Sequence, residues 1–583
     1  MIIDRSFSIA SLCQRLFNIL KTSTFYEHLV VFSIVFLLPL AVSLLTRDIY
    51  TIIKWKMVHL LVIFALFQLG FIHRCFTFPK INKLFLIACF GILGLWAFDY
   101  YFHHIPFVSE VTTDRLGFVV LTLFFLHLFK KSPQIIDTIS YALILSMTCF
   151  AGLILFQGII SLPEFFQGTP MHTKLQHTFG NPNMAAQFFG FALLATFRMI
   201  FLKKPIFLKA LFSLLFLFFS LFLIKTGCRS VMIGVGLGSV FYSVMQLKTY
   251  RKSLLISGFV AGLIALPFLF LLRPQTVQHR LDMWQNAIHI AKDYPLGVGR
   301  GKFGFYHVLY QEQDQVSPRS EGLIERTPHN EIFKYLAEEG WAYVLMVFVL
   351  LGSFLYVTRL DLASSFKTNE KTQMVGAFAL LLIVESLMQF PFELALPYLM
   401  ISVVLGYLFS LAPRQNSSSW PFSVLVSIPL LGIFGTISWF LWRSDLAHGI
   451  KRFDAAFVQE ACTRTPYAWR TCDLHTGHLL QQKRSEEAIE SLLTHLALRP
   501  YNFLNLYKLG HAYIMSGQKD LTCKFAWFHD RLFDHKSRLH QFVVEECPQQ
   551  EQEFLLALPL KDHYRGLFSH VSREHQKKIS HNT

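Results

Sequence analysis

The residues best suited to chemistry lie in a long polar stretch, residues 274–340, between two hydrophobic regions. It includes RLDMWQNAIHIAKDYPLGVGRGKFGF and, after a polar insert, RTPHNEIFKYLAEEGW. Pro328 favours the start of a helix, so we expect His329 in the first turn of that helix, beside Asn330. Imidazole titrates near neutral pH, which makes His329 a candidate general base. The alternative is a structural, solvent-exposed histidine, because the chain contains 24 histidines.

Arginines in the same stretch could bind a diphosphate. Arg280, Trp284 and Ala287 share one face of a predicted helix. Arg300 follows in the turn Pro-Leu-Gly-Val-Gly-Arg-Gly, whose glycines allow the backbone to bend tightly. Because a planar guanidinium group can bind two phosphate oxygens at once, the turn and its arginines are a candidate diphosphate cradle. The turn is not a dinucleotide-binding fingerprint, since no strand precedes it and the glycine spacing differs.

Two further segments place polar residues at the edge of a hydrophobic run. The sequence Gly-Asn-Pro-Asn predicts a turn at Asn181, and we expect Asn183 to cap the helix that follows. A capped entry into the membrane would explain this segment without any function. Arg229 begins another apolar run, where the positive end of a helix favours an anion. A lone arginine at such an edge can also extend to the membrane surface and have no specific role.

The composition indicates an all-α polytopic membrane protein of about twelve or thirteen spans. The chain has 583 residues, of which 53% are hydrophobic and only 15% are charged. A soluble protein would have nearly a quarter of its residues charged. Several apolar runs reach the roughly 20 residues that cross a bilayer. The predicted spans are 29–46, 52–71, 84–101, 116–130, 135–161, 184–202, 205–224, 230–247, 253–272, 341–358, 374–390, 396–412 and 420–442.

Basic residues predict the orientation of these spans. Lys and Arg concentrate in alternate short loops, such as 73–83 and 247–252, which places those loops in the cytoplasm. The net charge of +16 therefore gives no reason to expect nucleic acid as a partner. Residues 1–28 are expected to be cytoplasmic, with an amphipathic helix at 5–21 on the membrane surface and no cleavable signal peptide. The polar stretch at 274–340 and the C-terminus would then lie outside, in the periplasm.

The hydrophobic runs end at Trp442, so residues 29–442 form the predicted membrane domain and residues 443–583 a soluble helical domain. Gly510 and Tyr513 have the spacing of a tetratricopeptide repeat, and Ala488 fits the preceding unit. An unrelated pair of helical hairpins is the alternative. A repeat domain would provide a binding surface for a protein partner.

The cysteine pattern predicts no metal site. The nine cysteines include no CxxC pair and no Cys/His spacing typical of zinc. Disulfides become available to the C-terminal cysteines if that region is periplasmic, although the pairing is not determined by sequence. These cysteines are Cys462, Cys472, Cys523 and Cys547.

Four motifs, in this order, resemble the O-antigen ligase superfamily. They are FGNPN, then Cys-Arg-Ser at the start of a span, then R-x3-W with P-x-G-x-G, then PHNE with L-x-E-x-G. The superfamily includes O-antigen ligases, O-antigen polymerases and protein O-oligosaccharyltransferases. The resemblance extends over roughly residues 140–412 and is strongest at 280–340. It implies a periplasmic loop that faces a glycan linked to undecaprenyl diphosphate.

The resemblance implies that His329 is the catalytic base and that arginines hold the donor diphosphate. The expected substrate-binding residues are polar side chains that the motifs place at one membrane face, with Arg300 included for its position in the glycine turn: Arg229, Arg280, Arg300, Asn181, Asn183 and Asn330. The implied reaction needs neither a metal nor a cofactor and inverts the anomeric centre.

The predicted function is therefore glycan transfer from undecaprenyl diphosphate to an acceptor hydroxyl at the periplasmic face of the inner membrane. Ligation of O-antigen to lipid A–core is favoured; polymerisation of repeat units and O-glycosylation of a protein remain open. The sequence does not distinguish these acceptors and does not indicate the sugar. A transporter of lipid-linked sugar is a more distant alternative, to which the intramembrane acids Glu385 and Glu393 would be relevant. A membrane scaffold that recruits partners through the repeat domain is another.

Overall fold

The computed structural model is helical throughout the part of the chain that it describes, where it contains no strand. The predicted all-α polytopic class is confirmed. The amphipathic segment predicted at 5–21 lies outside the described residues. The structure describes residues 23–42, 50–73, 83–103, 109–156, 179, 181–258, 260, 274–310, 327–412, 424–449, 454–464, 469–498, 503–518, 520–525 and 547.

The helices are named here in chain order. The membrane helices and the helices of the polar stretch are α1 (Ser23–Leu37), α2 (Ile52–Phe67), α3 (Lys83–Phe102), α4 (Glu110–Lys131), α5 (Ile135–Phe156), α6 (Pro182–Phe201), α7 (Ile206–Thr226), α8 (Arg229–Gln246), α9 (Pro274–Asp293), α10 (Phe303–His307), α11 (Glu331–Thr368), α12 (Glu370–Met388), α13 (Ala395–Ser410) and α14 (Val424–Gly449). The C-terminal helices are α15 (Ala455–Arg464), α16 (Trp469–Gln481), α17 (Ser485–Leu498) and α18 (Phe503–Met515).

Each predicted span overlaps a helix. Eight helices in the described residues are long and apolar enough to cross a membrane. A ninth is counted if α8 and the helix Lys248–Gly258, which meet at 112°, form one span. The apolar helices α1 and α13 are shorter. Several boundaries differ from prediction: α1 begins at Ser23 rather than near 29, α4 begins at Glu110 rather than near 116, α11 extends over Glu331–Thr368 rather than 341–358, and α14 continues to Gly449, beyond Trp442. Near the start of α1, His28 makes a polar contact, with its Nδ1 2.6 Å from Thr138 Oγ1.

The helix ends form two faces of the bundle. One face, called the loop face here, carries residues 274–310 and 327–340. Lys302 Nζ donates to the carbonyl of His103 at the end of α3 across 3.0 Å, and Asn330 Nδ2 donates to the carbonyl of Leu387 at the end of α12 across 2.9 Å. The opposite face carries the end of α6 and the start of α12, joined by Arg198 and Glu370. Arg198, which the sequence places at a cytoplasmic loop, therefore lies at the end of the bundle away from His329.

Close packing of α8 against α12 positions the helix ends that contribute to the site. A methyl group added to Gly234 would lie 2.6 Å from Leu381 Cδ1, and one added to Gly238 would lie 3.1 Å from the carbonyl oxygen of Ala377. Small residues allow the backbones of two membrane helices to approach closely. Such packing stabilises the pair, since lipid provides no hydrophobic force between helices. The contact fixes the start of α8 beside the end of α12 on the loop face.

The C-terminal helices pack against the polar stretch. One continuous hydrophobic cluster joins Ile290, Val298 and Phe303 of the stretch to buried residues of α17 and α18, including Leu492 and Leu509. Helices α15 to α18 therefore lie on the loop face.

The disulfide pairing that the sequence left open is Cys462–Cys472 and Cys523–Cys547. The tetratricopeptide assignment stays a prediction. Gly510 is buried in α18. Tyr513 is also buried, and its ring lies 5.7 Å from that of Phe525.

Candidate functional site

His329 lies immediately before α11, not in its first turn as predicted. The Asn330 side chain caps the helix by accepting from the backbone N–H groups of Ile332 and Phe333 at 2.9 and 3.1 Å. Asparagine at this position satisfies amides that have no partner inside the helix, so the helix begins at Glu331 and not at Pro328. His329 itself has a left-handed backbone conformation with φ of 52°, which turns its side chain out of the helix direction.

Helix α9 fixes the backbone next to His329. Trp284 Nε1 donates to the carbonyl oxygen of Pro328 at 2.8 Å, and its ring stacks on Phe333 with 5.3 Å between centroids. The predicted shared face of α9 is present: Ala287 is fully buried one turn after Trp284, and Arg280 lies one turn before it. The tryptophan therefore links the helix that carries Arg280 to the segment that carries His329.

Both Arg229 and the charge of Arg280 are near the start of α8. Arg229 is the first residue of α8, and the positive charge of Arg280 acts on the thiol of Cys228, the residue before it. Burial raises the pKa of that thiol to about 12, so Cys228 is protonated at neutral pH and unsuited to act as a nucleophile. Two guanidinium groups and the positive end of a helix together favour an anionic ligand.

A chain of polar side chains connects His329 to the interior of the bundle. Gln389 Oε1 lies 3.4 Å from His329 Nδ1, and Gln389 Nε2 lies 3.4 Å from Ser230 Oγ. Ser230 and Gln187 face the carboxyl group of Glu385. Within the described residues, neither oxygen of Glu385 has a hydrogen bond of normal length. Glu385, considered above as part of an ion path, thus lies behind the candidate catalytic histidine.

The two asparagines of the first motif have different positions from those expected. Asn181, and not Asn183, caps α6: its side chain accepts from the backbone N–H of Asn183 at 2.8 Å. Pro182 follows as the first residue of the helix, where its missing N–H removes no hydrogen bond. This arrangement moves the cap two residues toward the N-terminus. The side chain of Asn183 is half-buried in the first turn.

The glycine turn docks on the backbone of α11. The N–H of Val298 donates to Ala337 and that of Gly299 donates to Glu338, at 3.0 and 2.8 Å. α11 is kinked at this point, at Gly340, whose φ is 84°. A Cβ on Gly297 would lie 2.2 Å from the carbonyl oxygen of Glu338. Close packing between the two backbones therefore explains why Gly297 of the turn and Gly340 of α11 must be glycine.

Charged side chains of α3 and α4 also hold the kinked part of α11 in place. Arg115 of α4 donates to both oxygens of Glu339, at 2.8 and 3.0 Å, and forms a second ion pair with Asp99 of α3. All three side chains are nearly inaccessible to water. Arg300 belongs to this cluster: its Nη1 lies 3.9 Å from Glu339, and its guanidinium group lies over Tyr335. The substrate-binding role predicted for Arg300 stays a prediction.

A second ion pair fixes the segment that follows Gln389. Lys334 of α11 pairs with Glu393, and Glu331 accepts from the backbone N–H of Phe392 at 3.0 Å. Glu393, the other acid considered for an ion path, thus joins the 3₁₀ turn after α12 to α11.

Residues 212–349 match a family model described as O-Antigen ligase. The chain carries an O-antigen ligase domain. The resemblance inferred from the motifs is confirmed, and the matched segment contains Arg229, Arg280, Arg300, His329 and Asn330. No curated protein matches the chain significantly.

His329, Arg229 and Arg280 all lie on the loop face: His329 is joined through Gln389 to Ser230 of α8, Arg229 is the first residue of α8, and the charge of Arg280 acts on Cys228. Their roles in catalysis and binding stay predictions. Sequence reasoning missed Gln389, although the residue ends a predicted span. A polar side chain at the end of an apolar helix was the available signal.

One group of three candidate metal ligands occurs in the described part of the chain, and it lies outside the O-antigen ligase domain. It consists of Cys462, Cys472 and His495 in the C-terminal helices, where the two cysteines are joined in a disulfide.

Proposed function

We propose that the protein transfers a glycan from undecaprenyl diphosphate to an acceptor hydroxyl at the periplasmic face of the inner membrane. The observation that carries this proposal is the convergence of His329, Arg229 and Arg280 at the start of α8, within an O-antigen ligase domain. A base and two cations placed together meet the two demands of the reaction. One is removal of a proton from the acceptor, and the other is stabilisation of a leaving diphosphate.

The chemical step follows from these roles. His329 takes the proton of the acceptor hydroxyl while its oxygen bonds to the anomeric carbon of the donor sugar. The bond from that carbon to the diphosphate breaks on the opposite side, which inverts the anomeric centre. The electron pair stays on undecaprenyl diphosphate, where Arg229 and Arg280 stabilise the negative charge without a metal ion. Proton transfer to a positioned base contributes about 10²–10⁴-fold, so positioning and charge stabilisation must supply most of the acceleration.

Several features support the periplasmic location of the loop face. Disulfides persist in oxidising compartments, and the pairs Cys462–Cys472 and Cys523–Cys547 belong to the C-terminal region, whose helices α17 and α18 pack on this face. The basic residues Lys130 and Arg198 are near the opposite face. Positive charge on short loops indicates the cytoplasmic side. Residues 443–583 would accordingly form a periplasmic helical domain.

Ligation to lipid A–core is the reaction that we propose within this class. A deletion in the native host tests it, with the surface polysaccharide and the carrier-linked pool separated on gels. Long chains that stay on the carrier, together with bare lipid A–core, are expected. Lipid A–core with a single repeat unit would instead identify a polymerase. An intact lipopolysaccharide ladder would contradict both and direct attention to glycoproteins.

A further inference from the structure

The polar chain behind His329 is buried along its whole length. Gln389 is 2% exposed, Ser230 is 5% exposed and Glu385 is 1% exposed. The chain also crosses three elements, since Ser230 belongs to α8, Glu385 to α12 and Gln389 to the segment after α12. Because water does not compete at these positions, each donor must find an acceptor among its neighbours.

The direction of the hydrogen bonds follows from the two ends of the Gln389 amide. The amide nitrogen can only donate, and it faces Ser230 Oγ, while the carbonyl oxygen faces His329. A carbonyl oxygen can only accept. Nδ1 of His329 therefore carries the ring proton, and the lone pair of the neutral ring is on Nε2.

We propose that Gln389, oriented by Ser230, is the positioning residue that keeps the proton of His329 on Nδ1 and so makes Nε2 the base. This inference rests on the proposed function, because it concerns the base of that reaction. An amide differs from a carboxylate in this role, since it orients the ring without adding a negative charge that would stabilise the protonated imidazole. Charged groups on the elements packed around His329 include Arg229 of α8, Arg280 of α9, Glu331 and Lys334 of α11, Glu385 of α12 and Glu393 of the turn that follows α12.

Two substitutions at Gln389 separate orientation from packing. The assay follows release of undecaprenyl diphosphate by the full-length protein in nanodiscs. The donor is carrier-linked glycan extracted from the deletion strain, and the acceptor is lipid A–core from the same strain. Gln389→Leu removes the acceptor oxygen and is expected to lower kcat by about 10²–10⁴-fold with little change in the KM for the donor. Gln389→Glu restores an acceptor but adds charge, so the acidic limb of the pH–rate profile should move upward by about one pH unit.

Gln373→Leu is the matched control, because Gln373 is also a buried glutamine and belongs to α12, the helix that ends just before Gln389. Its amide donates to the carbonyl of Phe366 at 2.7 Å near the opposite face of the bundle. We expect this variant to lose stability but to keep the wild-type pH–rate profile.

An unshifted profile for Gln389→Glu would overturn the positioning role, even if Gln389→Leu failed to fold. Wild-type kcat in a folded Gln389→Leu variant would overturn it as well. If the wild type releases undecaprenyl diphosphate and His329→Ala does not, either result refutes only the role of Gln389. Absence of release by the wild type would overturn the proposed function, and this inference with it.

Discussion

Substitution of Arg115 by methionine tests how the loop is held on the membrane helices. The Arg115 side chain is 2% exposed and forms ion pairs with two carboxylates, Asp99 and Glu339, whose side chains are 3% and 1% exposed. Methionine fills much of the volume but leaves both acids inside the protein without their main partner. Removal of one partner from a buried ion pair costs about 3–5 kcal/mol, because the remaining charge is uncompensated. We expect a loss of stability of that order.

Arg198→Met is the matched control on the opposite face. The Arg198 side chain is 1% exposed and also pairs with two carboxylates, but Asp137 and Glu370 are 30% and 33% exposed. These acids can turn toward water when the arginine is removed, so we expect a cost of only about 1 kcal/mol for each pair. The two variants thus remove the same group from equally buried positions and differ in the burial of the acids that remain.

The comparison uses both stability and transfer. Unfolding would be followed in mixed micelles as denaturing detergent is added, and transfer would be measured per folded protein. Arg115→Met should also lower transfer, since Glu339 precedes the kink on which the glycine turn docks. Arg198→Met should leave transfer unchanged. Equal stability losses in the two variants would refute the reasoning from buried carboxylates, and unchanged transfer in Arg115→Met would refute the link to the loop.

Three further predictions address the loop and the site. Gly340→Ala should reduce both folding yield and transfer, because its Cβ would lie 2.4 Å from the carbonyl oxygen of Pro295; Gly352→Ala, on the same helix with open space around it, should do neither. Arg280→Lys should lower transfer at least tenfold, roughly the loss of one bidentate contact, because a point charge does not replace a planar fork on a diphosphate; equal rates would contradict a diphosphate role. Cys228 should remain unlabelled by maleimide near neutral pH when peptides are analysed by mass spectrometry, since its raised pKa keeps the thiol protonated; ready labelling would contradict its burial.

Periodicity and apolar length were enough to predict the class of fold and the place of the helices. Both are local properties of the chain, and a membrane enforces them strongly because every backbone group must be paired within the lipid. The start of α11 was harder to predict. Pro328 and Asn330 are both helix-starting residues two positions apart, and the choice depends on the hydrogen bond from Asn330 to Leu387, a residue 57 positions away.

The role of Gln389 beside His329 was not predicted, since it depends on long-range contacts. The role of Gln389 depends on its contact with Ser230, which is 159 positions earlier in the chain. The glycine turn is a similar case. From sequence it was a candidate cradle for a diphosphate, and the structure adds that Gly297 allows close contact with the backbone of α11. The hydrophobic cluster between the polar stretch and the C-terminal helices also joins segments that are distant in sequence.

The most direct test of the central claim is complementation of the deletion strain with His329→Ala, beside the wild-type gene. The variant should reach the membrane in wild-type amount and leave long glycans on the polyprenyl carrier, with lipid A–core bare. This outcome would assign the chemical step to His329 on the loop face. Restoration of wild-type lipopolysaccharide by His329→Ala would contradict the general-base mechanism and favour a role in transport or in recruitment of partners.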